Sequence, residues 1–232
     1  MAPRPASAAE YNCGGFGHYF DGFSKSTAAT YLSWGVSSKI TVRSTNLCST
    51  QPNDNNGSTT WSLITPHNFD GWAQAGTLKT ATRLTSGFTQ WIPCNACMGG
   101  VPATYLDSTH LYDGEVHQYW VSYVGSGCPA GGSCFSLNID NGSVARTTFD
   151  PNGPWAGPWI TQWMGETTYY GSDVPGRPTG KVVFNEMKYE SSPTSWASQP
   201  CGLVVDNDID IRWTWETYGC PSRGIWTYNP NP

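Results

Sequence analysis

Charge is scarce in this chain of 232 residues, with Asp, Glu, Lys and Arg making up only 12% of it. Solvent-facing helices depend on those residues together with Ala, but Gly (26), Pro (17), Trp (12) and Tyr (12) take their place, which excludes a helical bundle. No helical period persists beyond about two turns, and no repeat of about 20 to 50 residues runs through the chain. Long apolar runs are missing as well. The longest, such as Leu203-Val204-Val205, fall far short of the roughly 20 residues a membrane-spanning helix needs. There is no basic excess: the formal net charge is −5, so the mean field repels phosphate backbones and anionic headgroups and argues against nucleic acid and membrane partners.

The usual catalytic signatures are also absent. The chain has no Gly-x-Ser-x-Gly elbow, no His-Glu-x-x-His, no phosphate-binding Gly-x-x-x-x-Gly-Lys and no Gly-x-Gly-x-x-Gly. Serine-hydrolase, zinc-peptidase, phosphate and nicotinamide chemistry therefore lose their handles, and no cofactor is expected. Asp206, Asp208 and Asp210 suggest a calcium loop, but Ile211 stands where such a loop needs Gly and Thr217 where it needs Glu, so no metal is expected there. With six Glu and eleven Asp in the chain, carboxylate acid–base chemistry is the main route left.

Aromatic residues at 14% supply ample surface for a core. The eight cysteines group locally, which favours pairing Cys13 with Cys48, Cys94 with Cys97, Cys128 with Cys134 and Cys201 with Cys220. A zinc site would need a second Cys-x-x-Cys or a His pair, and His18, His67, His110 and His117 offer none. A redox pair would open a helix after a strand, whereas Cys94-Asn95-Ala96-Cys97 lies between Pro93 and Gly99-Gly100. A disulfide framework implies a secreted protein. Residues 1–10 carry small residues of the A-x-A type and read as a flexible processed terminus. Residues 11–232 follow as one sandwich domain, with 191–232 as a last strand pair or small appendage.

Period-two alternation marks Lys39–Arg43, Thr60–Ile64, Val116–Val124, Phe135–Ile139 and Val182–Tyr189 as half-buried strands, with dense Gly/Pro/Asn/Asp turns between them. Asn141-Gly142 predicts a hairpin between two of these runs. The expected fold is all-β, a disulfide-stabilised antiparallel sandwich of two sheets in a concanavalin-like jelly roll.

Two segments place a polar side chain inside an aromatic, glycine-rich strand. In Gly71-Trp72-Ala73-Gln74-Ala75-Gly76, small residues flank Gln74 and would let a substrate backbone approach. In Trp159 to Tyr169, Glu166 follows Gly165 and shares a face with Met164 and Thr168. These runs, with Phe88-Thr89-Gln90-Trp91-Ile92-Pro93 between them, occur in an order that resembles the glutamic peptidases. The fungal acid family pairs a Gln in a Leu-Gln-Thr-Gly strand with a Glu in a later Trp-x-x-Glu strand. The plant neprosin family has Glu-Ala-Gly-Trp, a Cys-containing loop and Trp-Gly-Gly-Glu. This chain has Gln74-Ala75-Gly76, then Cys94 and Cys97, then Trp163-Met164-Gly165-Glu166 and Phe184-Asn185-Glu186-Met187. Its Gly-Val-Ser, Val-Arg-Ser and Gly-Glu-Thr-Thr-Tyr pieces also look like those of a group of secreted actinobacterial proteins.

The resemblance implies a secreted hydrolase of peptide or protein substrates at acid pH. Glu166 would act as base towards water and then as acid towards the leaving amine, and the Gln74 amide would donate to the oxyanion. Trp72, Trp91, Trp163 and Tyr169 are the expected substrate-binding residues. Two other readings compete. One is a lectin-like sandwich that stacks glycans on its aromatic rings, and the other is an extracellular structural or adhesive protein. A peptidase needs Gln74 and Glu166 on one groove within reach of a shared water, and the rivals do not.

Overall fold

The computed structural model describes residues 16–24, 33–43, 45, 47, 57–80, 84–155, 159–169, 175–176, 179–199, 204–207, 213–217 and 222–227. Its elements in chain order are β1 (Phe16–Ser24), β2 (Gly35–Thr41), β3 (Gly57–Pro66), β4 (Trp72–Thr80), β5 (Ser86–Ile92), a 3-10 turn at Cys97–Gly100, β6 (Ala103–His110), β7 (Val116–Val124) and β8 (Cys134–Ile139). There follow β9 (Gly142–Arg146), β10 (Trp159–Tyr169), β11 (Val182–Ser192), β12 (Ser195–Ser198), β13 (Val204–Asn207), β14 (Trp213–Thr217) and β15 (Arg223–Thr227). They form two antiparallel sheets, β13-β1-β10-β3-β4-β5-β6 and β14-β15-β11-β2-β7-β8-β9, with β12 hanging from β11. This is the sandwich that the alternating strands predict. Among the described residues no helix is long and apolar enough to cross a membrane.

Alternation places one set of side chains between the sheets. Phe23, Ile64, Ala73, Ala75 and Trp163 of the seven-stranded sheet pack against Val36, Ile40, Tyr119, Val121, Phe135, Leu137 and Phe184 of the other. Two hydrogen bonds tie the layers: Ser38 Oγ lies 2.8 Å from Ser62 Oγ, and Trp163 Nε1 donates to the Ser37 carbonyl at 3.1 Å. The seven-stranded sheet also carries a second apolar cluster of Trp61, Leu63, Leu78, Phe88 and Met164, edged by Phe20, Trp72 and Leu106. These residues alternate with the core set along the same strands, so they cover the sheet's other face.

The Asn141-Gly142 hairpin joins β8 to β9, but its left-handed residue is Asp140 (φ 52°) rather than the glycine. The Asp140 carboxylate explains this, because it accepts the Gln118 backbone N–H at 3.0 Å and lies 2.8 Å from His117 Nδ1 on β7. Cys94–Cys97 and Cys128–Cys134 are disulfide-bonded as expected. The expected Cys13–Cys48 and Cys201–Cys220 pairs lie outside the described residues. In the C-terminal segment, β13 pairs with β1 in one sheet, while β14 pairs with β15 and β15 with β11 in the other.

Candidate active site

The outer face of the seven-stranded sheet forms the floor of an open cleft of about 900 Å³. Strand parity selects its residues: Gln162, Met164, Glu166 and Thr168 from β10; Thr59, Trp61, Leu63 and Thr65 from β3; Trp72, Gln74 and Leu78 from β4; Phe88 and Gln90 from β5; Thr104 and Leu106 from β6. Gln74 and Glu166 therefore line the same cleft. Glu166 carries the one titratable side chain among the described lining residues.

The register arranges this floor in transverse rows. One row runs Gln162–Leu63–Gln74–Gln90–Thr104 from β10 to β6, and its right-hand part is hydrogen-bonded. Gln74 Nε2 donates to Gln90 Oε1 at 2.8 Å, and Gln90 Nε2 donates to Thr104 Oγ1 at 3.1 Å. A second row runs Met164–Trp61–Gly76–Phe88–Leu106, and a third runs Phe20–Glu166–Thr59–Leu78. Gln74 and Glu166 are thus two strands and four residues apart, on the order of 16 Å between α-carbons. Trp61 of the intervening row donates its Nε1 to Glu166 Oε2 at 3.1 Å. That bond draws the carboxylate over β3, the side on which Gln74 lies. Both side chains face the cleft, with the Gln74 amide turned towards β5 and Gln90.

Gly76 makes this close packing possible. A Cβ there would meet the Thr60 carbonyl oxygen at 1.9 Å and Trp61 Cα at 2.7 Å. At the Gln74 end, two loops form an apolar rim. Phe69 (φ 56°) and Met98 (φ 54°) are both held left-handed and about half exposed. The loops are stitched together by Asn95, whose backbone N–H donates to Asp70 Oδ1 at 2.7 Å and whose Nδ2 donates to the Phe69 carbonyl at 3.2 Å. The Cys94–Cys97 disulfide closes the loop beneath them. Neither Phe nor Met favours this backbone region, so nothing in the sequence announces the rim.

Of the four aromatic residues expected to bind substrate, Trp72 lines the cleft. Trp91 and Trp163 are buried between the sheets instead, Trp163 completely. Each stands one residue from a cleft position, Trp91 after Gln90 and Trp163 after Gln162, so the pleat turns both rings inward. Tyr169 ends β10, paired with Phe16. Sequence reasoning did not single out Trp61, Gln90, Thr104 or Gln162 as site residues. Their common face follows from inter-strand register, which no single segment displays.

No protein-family profile and no curated protein matches the sequence. Among solved structures, the chain is similar to scytalido-glutamic peptidase crystallised with a transition state analog inhibitor, at 11% identity and a TM-score of 0.51. The match covers 92% of this chain and 100% of that one. A non-specific endo-β-1,3(4)-glucanase of family GH16 matches at 10% identity and a TM-score of 0.45, over 89% of this chain and 62% of that one. LamAcat from Zobellia galactanivorans matches at 13% identity and 0.38, over 62% and 59%. The likeness to the peptidase structure shows a shared fold.

Proposed function

We propose that the protein is a secreted endopeptidase of glutamic type, acting at acid pH on extended peptide laid along the cleft. The carrying observation is the chemistry of the lining: one carboxylate, Glu166, shares the floor with the carboxamides of Gln74, Gln90 and Gln162. Glycoside hydrolysis by the common route uses two carboxyl groups about 5 to 9.5 Å apart, and no second carboxylate lines the cleft among the described residues. A carboxylate base with an amide donor is the arrangement that peptide hydrolysis through bound water requires.

In this reading Glu166, oriented by the Trp61 indole N–H, takes a proton from water as the oxygen attacks the peptide carbonyl. The Gln74 amide donates to the oxygen that becomes negative. Glu166 then returns the proton to the leaving amine, so no acyl-enzyme forms. The two disulfides fit an oxidising, extracellular setting.

Glycan binding without catalysis is the second reading. In the structure Gln74 turns its amide towards Gln90 rather than towards Glu166, and an amide row beside Trp72 also suits sugar hydroxyls and a stacked ring. Incubating the folded protein with an unfolded protein between about pH 2.5 and 7, a range that brackets an ordinary Glu, separates the two. Mass spectrometry reports new termini, and a parallel titration with neutral oligosaccharides reports binding. Acid-dependent cleavage supports the peptidase, whereas saturable sugar binding without cleavage supports the second reading.

A further inference from the structure

The hydrogen-bonded row that ends on Gln74 has a direction, and we infer that Gln90 and Thr104 are positioning residues that set which end of the Gln74 amide is available. The functional consequence rests on the peptidase reading; the polarity itself does not. The row begins at a group that can only accept, the Pro102 carbonyl, which takes the Thr104 hydroxyl proton at 3.4 Å. A threonine hydroxyl has one proton, so with that proton committed Thr104 can only accept from its other neighbour. Gln90 must then present its NH₂ to Thr104, as the 3.1 Å Nε2–Oγ1 contact has it. An amide with its NH₂ on one side has its oxygen on the other, so Gln90 Oε1 faces Gln74. Gln74 answers with an N–H at 2.8 Å.

A backbone carbonyl at the edge of the sheet thus fixes the polarity of three side chains in sequence. One N–H of Gln74 is held by Gln90. Its second N–H diverges from the first by about 120° in a planar amide and is the one left for an incoming carbonyl oxygen. An amide flip would exchange donor for acceptor and present the developing oxyanion with a carbonyl oxygen instead. The relay disfavours that flip, because every downstream bond would have to reverse against an anchor that cannot donate. Gln74 is buried at 5% exposure, where solvent offers little compensation for a wrongly turned amide.

The anchor is placed by the rim. Pro102 follows the turn closed by Cys94–Cys97, and the Val101 N–H donates to the Met98 carbonyl at 3.3 Å. β6, which carries Thr104, begins at Ala103 and pairs with β5 through Gln90↔Thr104 and Trp91↔Ala103.

The test uses Thr104→Val, which keeps the shape and removes the hydroxyl, and Thr104→Ser, which restores it. Each variant and the parent chain are labelled with ¹⁵N-glutamine. The Gln74 side-chain NH₂ signals are assigned by their loss in Gln74→Leu, and backbone spectra verify folding. In Thr104→Val the Gln74 signals shift and exchange faster with solvent, and in Thr104→Ser they return to the parent positions. With a peptide substrate at acid pH, Thr104→Val lowers kcat about tenfold while KM stays within about twofold, because the loss is one of transition-state donation. Thr104→Ser recovers most of kcat. Gln74 signals in folded Thr104→Val identical to the parent's overturn the relay. If the spectra respond as expected but the parent cleaves nothing, the relay stands and the peptidase reading is what fails.

Discussion

Substituting Trp163 by Phe distinguishes a structural tryptophan from a substrate-binding one. Trp163 is fully buried between the sheets, and its Nε1 donates across the interface to the Ser37 carbonyl. Ser37 sits beside the irregular step between Asn185 and Lys188 in the β2–β11 ladder, so the indole serves a place where regular pairing is broken. Phe removes about 40 Å³ of ring, worth about 1 kcal/mol as residual cavity. It also leaves a buried carbonyl without its donor, at about 1 to 3 kcal/mol. The sum is about 2 to 4 kcal/mol, which for a chain of this size lowers Tm on the order of 10 °C. Thermal melts and urea titrations read the loss. kcat/KM on peptide, measured well below the transition, stays within about twofold. Trp72→Ala is the counterpart: its ring lines the cleft, so it costs less stability, about 1 to 2 kcal/mol, and acts mainly on KM. A Trp163→Phe protein with parental Tm and depressed kcat/KM would refute the placement of that ring in the core.

Three further outcomes follow from particular contacts. Gly76→Ala forces a methyl onto the Thr60 carbonyl and Trp61 Cα, so urea unfolding should report a loss of about 3 kcal/mol; a stability within 0.5 kcal/mol of the parent, roughly the spread of neutral substitutions, contradicts the close β3–β4 approach. Burial of Glu190 raises its pKa against the opposing backbone hydrogen bonds from Thr194 and Tyr123. A carboxyl raised in the folded state contributes stability below its unfolded pKa of about 4.3 and loses it as pH rises through the folded value. The Glu190 contribution to Tm therefore falls from about pH 4 towards neutrality, read as the change with pH in the difference between parent and Glu190→Gln melts; parallel curves would remove Glu190 as the cause. Replacing both Cys94 and Cys97 by Ser opens a very short loop, costs about 2 kcal/mol or less, and raises KM by loosening the Asn95-stitched rim. An unchanged KM would detach that rim from substrate binding.

Much of the fold was legible in the sequence because alternation is a local signal. The run Val116–Val124 coincides with β7, and Phe135–Ile139 falls one residue short of β8. In β7 one face meets the core and the other is more exposed, whereas β8 is buried along its whole length. The seven-stranded sheet blurs that signal. β3 and β4 are buried along nearly their whole length, since the core cluster covers one face and the cleft cluster the other. Hydrophobicity then cannot say which face a residue serves, and this is why Trp91 and Trp163 read as groove residues. Gln74 and Glu166 stood out because polar side chains are costly on such strands. Gln90, Thr104 and Trp61 did not, since their roles arise from neighbours 14 to 105 positions away.

The central claim is that Glu166 performs hydrolysis in the cleft. Its most direct test compares the parent chain with Glu166→Gln, which preserves shape and the acceptor for the Trp61 indole but cannot take up a proton. Cleavage of an unfolded protein is followed by mass spectrometry from about pH 2.5 to 7, with both proteins shown to be folded. The account predicts acid-dependent cleavage by the parent and a loss of about 10²- to 10⁴-fold in the variant. Equal cleavage by both, or none by the parent, would contradict it.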